Sequence, residues 1–301
     1  NRREPKQDLV DRIDAFLVEL PDIGTRIYTF MYTLANCMRA AKRTGKKVIV
    51  LDRPNPINGM TIEGNALETK FVSFVGQYPM PTRHGLTMAE LALLFNDHFG
   101  IGCDLELVKL TGWKRKMWGD AIYPDWICPS PNIPNFISTL LFPGTVHFEG
   151  TQVSEGRGTT RPFEFIGAPF ISPDDLASKM NKKKLKGVFF RPIYFQPCFQ
   201  KYKDTVCGGV CIHVTDRNKF ASFEVGVHLL HQIAADYPNQ FKWKQPPYEY
   251  ENDKMPIDVI AGTSQLREAV EGKSTLKDFF DRTRQDVEAF KKIRKPYLLY
   301  S

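Results

Sequence analysis

The sequence predicts an α/β fold built on a parallel sheet, and three observations carry the prediction. Phe16 to Leu20 is a short apolar run that reads as a strand, closed by a Pro21-Asp22-Ile23-Gly24 turn and followed by a helical stretch from about Arg26 to Ala41. Lys47 to Leu51 is continuous and β-branched, the pattern of a strand in a parallel sheet covered on both faces. The resulting order of strand, helix and strand is the βαβ signature, whose ligands sit beyond the carboxyl ends of the strands. Asp22 and the segment from Asp52 to Asn55 are therefore expected at one rim.

Thr87 and Glu90 have capping-box spacing, so a helix is expected from Met88 to about Phe99, ended by Gly100, with a strand from Leu105 to Leu110 after it. From Pro124 to Gly144 the chain is rich in Pro and Asn and shows little periodicity, which reads as an ordered loop crossing to a second domain. The length of 301 residues agrees, since domains run to roughly 100 to 200 residues. The boundary falls near residue 145, giving units of 1–144 and 145–301. In the second unit Ser172-Pro173-Asp174-Asp175 caps a helix, and Gly187 to Phe195 and Gly209 to Val214 read as strands. A helix from about Lys219 to Tyr237 and another from Thr275 to about Lys292 complete a mixed α/β unit. The last helix carries Leu276, Phe279, Phe280, Val287 and Phe290 on one face.

Composition excludes several classes. With 42% hydrophobic and 25% charged residues the chain is neither disordered, collagenous nor coiled-coil. The longest stretch without an ionised side chain, Trp126 to Phe148, contains Pro129, Pro131, Pro134 and Pro143 and cannot be a membrane-spanning helix. The 41 basic and 34 acidic residues leave a scattered +7. The run Lys182, Lys183, Lys184 and Lys186 is either a solvated helix end or a contact for an anionic partner. No basic patch interleaves with stacking aromatics, which argues against nucleic acid. Six cysteines do not make a disulfide scaffold, and Cys207 and Cys211 are either buried thiols or one disulfide. No Cys/His set around them completes a zinc site.

Familiar catalytic signatures fail. Gly45-Lys46-Lys47 is not a phosphate-cradling loop, and Gly156-Arg157-Gly158-Thr159-Thr160-Arg161 has Arg161 where a dinucleotide fingerprint has its third glycine. There is no Gly-x-Ser-x-Gly elbow and no His-Glu-x-x-His helix. What remains is a set of polar loop clusters: Glu149-Gly150-Thr151, Ser154 to Thr160, Asp22, Asp52 to Asn55, Glu63-Gly64, Arg83-His84-Gly85 and Asn132. Carboxylates, hydroxyls, amides and fixed Arg forks with few aliphatics suit a sugar-like ligand bearing one acid group, with Arg157, Arg53 or Arg83 as its clamp. Each residue also has a structural reading: Asp52 as a turn cap, Glu63 or Glu155 as an ion-pair partner, His84 as a satisfied histidine near a helix start. Trp113, Trp118 and Trp126 are either core or a stacking wall for a sugar ring.

The same residues, in this order, resemble the exo-β-N-acetylmuramidase (NamZ-like) glycoside hydrolases of bacterial cell-wall recycling. The match runs through Asp22-Ile23-Gly24-Thr25-Arg26-Ile27-Tyr28-Thr29-Phe30, Val50 to Ile57, Glu63-Gly64, Ser73-Phe74-Val75-Gly76 and Arg83-His84-Gly85-Leu86-Thr87. It continues through Pro129 to Pro134, Glu149 to Glu164, Gly167-Ala168-Pro169, Phe190-Arg191-Pro192, Val214 to Arg217 and Arg294 to Leu298, covering nearly the whole chain. The resemblance implies a Rossmann-like parallel-sheet domain, a smaller C-terminal α/β domain and a site in the cleft between them. The implied reaction releases terminal N-acetylmuramic acid from the non-reducing end of peptidoglycan-derived glycans, without metal or organic cofactor, by an exported protein.

Two departures from the pattern stand out. Pro21 replaces the family's usual Gln. The Phe-Gly-Pro-Glu-His-Gly segment that carries the family's catalytic acid does not occur, so the first domain reads as lacking its opening strands and the sequence as part of a longer chain. Glycosidases need two acidic groups, about 5 to 5.5 Å apart for retention and about 6.5 to 9.5 Å for inversion. Glu155, Glu63, Asp22 and Asp52 are the candidates for the partner role, in that order. Arg53, Asn55, Arg83, His84, Asn132, Glu149, Ser154, Arg157, Thr159 and Thr160 are the candidate substrate-binding residues. The alternative is a catalytically inactive muropeptide- or sugar-binding protein.

Overall fold

The structure, a computed structural model, describes residues 4–123 and 125–301; Asn1 and Pro124, at the starts of two stretches read above, lie outside the described residues. After a helical turn α1 (Gln7–Val10), β1 (Ala15–Val18), α2 (Phe30–Thr44) and β2 (Lys47–Leu51) form the βαβ unit. A hairpin of β3 (Glu63–Ala66) and β4 (Pro81–Arg83) precedes α3 (Met88–Asn96) and β5 (Asp104–Val108). The short α4 (Gly119–Ile122) and then α5 (Phe136–Thr145) lead to β6 (Phe165–Ala168), α6 (Pro173–Lys182), β7 (Val188–Phe195) and β8 (Cys207–Val214). Helices α7 (Ser222–Asp236), α8 (Pro256–Ala261), α9 (Gln265–Val270) and α10 (Leu276–Arg294) end the fold.

Strands β1, β2 and β5 pair in parallel in the order β1-β2-β5, with Val50 opposite Val18 and Leu107. This is the expected α/β core, but its coverage differs from expectation. Val48 and Val50 are buried against α2 and α3, whereas Leu17 on the opposite face is 67% exposed and Val108 48%. Among the described residues the sheet is therefore covered on one face. The continuous run at Lys47 to Leu51 reflects β-branched packing on that face and apolar side chains left on the other.

Three helix starts have local causes. Helix α2 begins at Phe30 because Thr25 bridges Arg83 and the Arg26 N–H donates to the Thr82 carbonyl, tying the preceding residues to the hairpin. Thr87 and Glu90 form the predicted capping box at α3. Ser172 stands at the N-cap of α6, yet its side chain makes no capping bond; Pro173 in the first turn supplies the start signal.

The stretch from 124 to 144, expected as loop, contains α5. Asn135 caps it by accepting from the Ser138 N–H, and every residue from Ser138 to Thr145 is buried. A helix enclosed on all sides has no polar face, so the amphipathic period that would announce it is missing. Its crossing with α7 is close enough that a Cβ on Gly144 would lie 1.9 Å from the Ser222 carbonyl oxygen.

The second sheet is antiparallel in the order β6-β8-β7. Strand β8 places Cys207 and Cys211 on one face four positions apart, about 13 Å along a strand, so they are thiols and cannot form a disulfide. Burial pushes the Cys207 thiol up to about 11. The lysine run is exposed at the C-terminal end of α6 and in the turn that follows it. Helix α10 belongs to two cores at once, with Phe279 packed against the antiparallel-sheet core and Phe290 against the parallel-sheet core. No helix among the described residues is long and apolar enough to cross a membrane.

Candidate active site

The carboxyl ends of β1 and β2 open onto a hollow lined by Asp22, Arg53, Tyr123, Trp126 and Cys128. Asp22 reaches it through a turn that requires Gly24: its φ is +80°, and a Cβ there would lie 2.5 Å from Oδ1 of Asn55. The Gly24 N–H donates to Oδ2 of Asp22 at 2.7 Å. Nε2 of the fully buried His84 stands 3.3 Å from the same oxygen, an electrostatic contact longer than an ordinary hydrogen bond. The Leu86 N–H donates to Nδ1 of His84 at 3.1 Å, which leaves Nε2 to carry the ring proton, and Nε2 makes no hydrogen bond among the described residues. Oδ1 of Asp22 is buried and has no hydrogen-bond partner among the described residues.

Arg53 also lines this hollow. Its guanidinium is 5.6 Å from the centre of the Tyr123 ring, and Nη1 is 3.2 Å from the exposed Glu19. Trp126 is fixed by its indole N–H, which donates to the Ile133 carbonyl at 3.1 Å. Trp113 and Trp118 are buried, so of the three tryptophans only Trp126 forms a wall.

A second hollow lies beyond the Cys128-Pro129-Ser130 segment, Cys128 and Pro129 facing the first and Ser130 the second. Tyr28, Asn132, Glu149, Arg157 and Tyr248 line it. Glu149 accepts from Arg157 Nη2 at 2.5 Å and from the Tyr248 hydroxyl at 3.0 Å. Burial and then the Glu149 charge push the Tyr248 hydroxyl well above its ordinary range, and burial pushes that of Tyr28 up to about 12. Burial works to lower the Arg157 value, but Glu149 and Glu155 outweigh it and the net direction is up.

The structure separates the candidate residues. Asp22, Arg53, Asn132, Glu149 and Arg157 line the two hollows, and His84 backs Asp22. The others are occupied elsewhere. Asp52 accepts from the N–H groups of Arg53 and Ala89 and from the hydroxyls of Thr87 and Tyr300, which makes it an anchor for the start of α3. Glu63 and Arg83 form a buried ion pair, closed by the Phe223 N–H on Glu63 and the Ile57 carbonyl on Arg83. Glu155 is held by Lys201 at 2.7 Å and Arg157 at 3.3 Å. Asn55, Ser154 and Thr159 each satisfy neighbouring backbone groups, and Thr160 is exposed on a turn outside both hollows. Tyr123 and Tyr248 are site residues that sequence reasoning did not select. Tyr248 meets Glu149 from 99 positions away, with no local signal for either residue to announce the other. Among the described residues no group of His, Cys, Asp and Glu is arranged to hold a metal ion.

The fold and site thus define an α/β protein with a buried carboxylate and an arginine lining one hollow beyond the ends of a parallel sheet. Residues 1–137 match the family described as exo-beta-N-acetylmuramidase NamZ, N-terminal, and residues 140–300 match its C-terminal counterpart; the chain belongs to this family. It is 41% identical over 298 residues to the peptidoglycan beta-N-acetylmuramidase NamZ of Bacillus subtilis (strain 168), covering 99% of this chain and 70% of that protein. Two crystal structures of DUF1343 family proteins from Bacteroides fragilis NCTC 9343 share the fold, each covering 99% of this chain and 78% of theirs. One has a TM-score of 0.91 at 33% identity, the other 0.76 at 27%.

Proposed function

We propose that this protein is a glycoside hydrolase that releases terminal N-acetylmuramic acid from the non-reducing end of peptidoglycan-derived glycans. The observation that carries the reading is Asp22, a buried carboxylate at the hollow, with Oδ2 accepting from the Gly24 N–H beside His84 and Oδ1 without a hydrogen-bond partner among the described residues. A carboxylate with one oxygen left unpartnered suits a developing positive centre, and the oxocarbenium-like transition state of glycoside cleavage supplies one. Asp22 fills one of the two acidic roles, stabilising the positive charge that develops at the anomeric carbon. Water adds across the bond between that carbon and the leaving oxygen, giving the free sugar and the shortened glycan.

Tyr123 and Trp126 offer flat faces to the sugar ring, as aromatic walls do for carbohydrates. In this reading the units 1–144 and 145–301 face each other across the cleft, and Asn132, Glu149 and Tyr248 in the second hollow meet the adjoining sugar. A peptidoglycan substrate supports the reading that the protein is exported and acts outside the cytoplasmic membrane. The test is release of nitrophenol from a 4-nitrophenyl β-N-acetylmuramide by the full-length protein, with the β-N-acetylglucosaminide in parallel. Release from the first supports the reading, and a folded protein that cleaves neither overturns it.

A further inference from the structure

We infer that Arg53 is the residue that recognises the acid group of the sugar, and so sets the preference for N-acetylmuramic acid over N-acetylglucosamine. The inference rests on the reading above and deepens it. The two sugars differ by the lactyl ether on O3, whose carboxylate is a planar anion that a guanidinium fork matches with two parallel hydrogen bonds. Three arginines stood as candidates for that clamp, and the structure separates them by what already holds them.

Arg83 is 1% exposed, paired with Glu63 and bonded to the Ile57 carbonyl, so no ligand reaches it. Arg157 borders the second hollow, but Glu149 and Glu155 already face it from both sides, with Lys201 beyond Glu155. A substrate carboxylate there would meet two resident ones. Arg53 alone lines the hollow that contains Asp22. Among the described residues its ion-pair partner is Glu19, on a side chain 52% exposed and therefore screened by water, and its Nε has no hydrogen-bond partner there. The neighbouring carboxylate, Asp52, is engaged by four protein donors and does not compete for the guanidinium. The Arg53 guanidinium stands 5.6 Å from the centre of the Tyr123 ring, a cation–π contact that leaves its charge unneutralised.

The experiment compares two substrates in the full-length protein: the 4-nitrophenyl N-acetylmuramide with its free lactyl carboxylate, and the same compound with that carboxylate converted to the primary carboxamide. The wild-type protein is expected to show a lower KM for the carboxylate. Arg53→Gln is expected to raise that KM about 10- to 100-fold and to erase the preference, as loss of a charge-assisted pair does. Arg53→Lys, which keeps the charge and loses the fork, falls between. Arg157→Gln retains the preference whatever it does to the rate. An Arg53→Gln protein that still prefers the carboxylate, or an Arg157→Gln protein that has lost the preference, overturns the assignment. If the wild-type protein cleaves neither substrate, the hydrolase reading fails by itself. Calorimetric binding of N-acetylmuramic acid against N-acetylglucosamine to wild type and Arg53→Gln then decides the role of Arg53: a preference lost in the variant supports it, and a preference kept, or absent from the wild type, overturns it.

Discussion

Nε2 of His84 faces Oδ2 of Asp22 at 3.3 Å, while the Leu86 N–H holds Nδ1 of the same ring. The ring is thereby fixed against the carboxylate in electrostatic contact, and His84, which does not border the hollow, is a positioning residue. Asp22→Asn is expected to lower kcat by at least about 100-fold, the usual contribution of a positioned carboxyl group, while the melting temperature barely moves. His84→Phe should lower kcat by about 10-fold, or 1.4 kcal/mol, and His84→Gln, which still offers an N–H, should recover part of it. Equal losses for Gln and Phe would show that the ring supports packing alone.

Glu155 makes the opposite case. It headed the acidic candidates by its place in a polar, glycine-rich loop, yet Lys201 ties it at 2.7 Å and also donates to the carbonyls of Phe148 at 2.8 Å and Val153 at 3.0 Å. Glu155→Gln leaves this nearly buried ammonium without its carboxylate and is expected to destabilise the fold by about 3 to 5 kcal/mol. Activity per folded molecule should change much less than in Asp22→Asn. Urea denaturation and kcat measured on the same preparation separate the two, and a large loss of kcat at unchanged stability would return Glu155 to the catalytic set.

These two carboxylates show how far the sequence was legible. The β-branched run at Lys47 to Leu51, the capping box at Thr87 and Glu90 and the turn after β1 are local signals, and they placed Asp22 and Arg53 at one rim. Side-chain type in a loop is a weaker signal, because a tight loop needs acceptors for its own N–H groups as much as a ligand does. Asn55 serving the Ile57 N–H and Ser154 serving that of Gly156 were indistinguishable in sequence from ligand-binding residues. Ion-pair partners such as Lys201 for Glu155, and hydroxyl partners such as Tyr248 for Glu149, come from other parts of the chain and leave no local trace. Helix α5 was missed because complete burial removes the periodicity that reveals a helix.

The α5–α7 crossing yields a prediction about packing. A Cβ on Gly144 would lie 1.9 Å from the Ser222 carbonyl oxygen, and one on Gly226 would lie 2.3 Å from the Gly144 carbonyl oxygen. Both obstacles are backbone and neither yields by a rotamer change. Gly144→Ala and Gly226→Ala are each expected to cost about 3 kcal/mol, the upper range for overpacking, and the double variant less than the sum because both push the same helices apart. Denaturation midpoints check this; a neutral Gly144→Ala would mean that the helices cross less closely.

The last prediction concerns pH. His147 is fully buried between α5 and α7, with Nδ1–H donating to the Gly144 carbonyl at 2.9 Å and its ring 5.4 Å from that of Phe223. Burial lowers its pKa to about 4, the Gly144 carbonyl opposing this and the Arg26 charge adding to it. Its unfolded value is about 6.5, so the folded protein binds the proton more weakly than the unfolded chain. The contribution of His147 is therefore fully present above about pH 6.5 and is lost as the pH falls through about 4. At 1.36 kcal/mol per pH unit the full amount is about 3 kcal/mol. His147→Asn keeps an N–H for Gly144 and removes the titration. Its stability should fall less steeply than that of the wild type between pH 6.5 and 4, as read from urea midpoints across that range. Parallel curves for the two proteins would show that His147 takes up its proton in the folded state as readily as in the unfolded one.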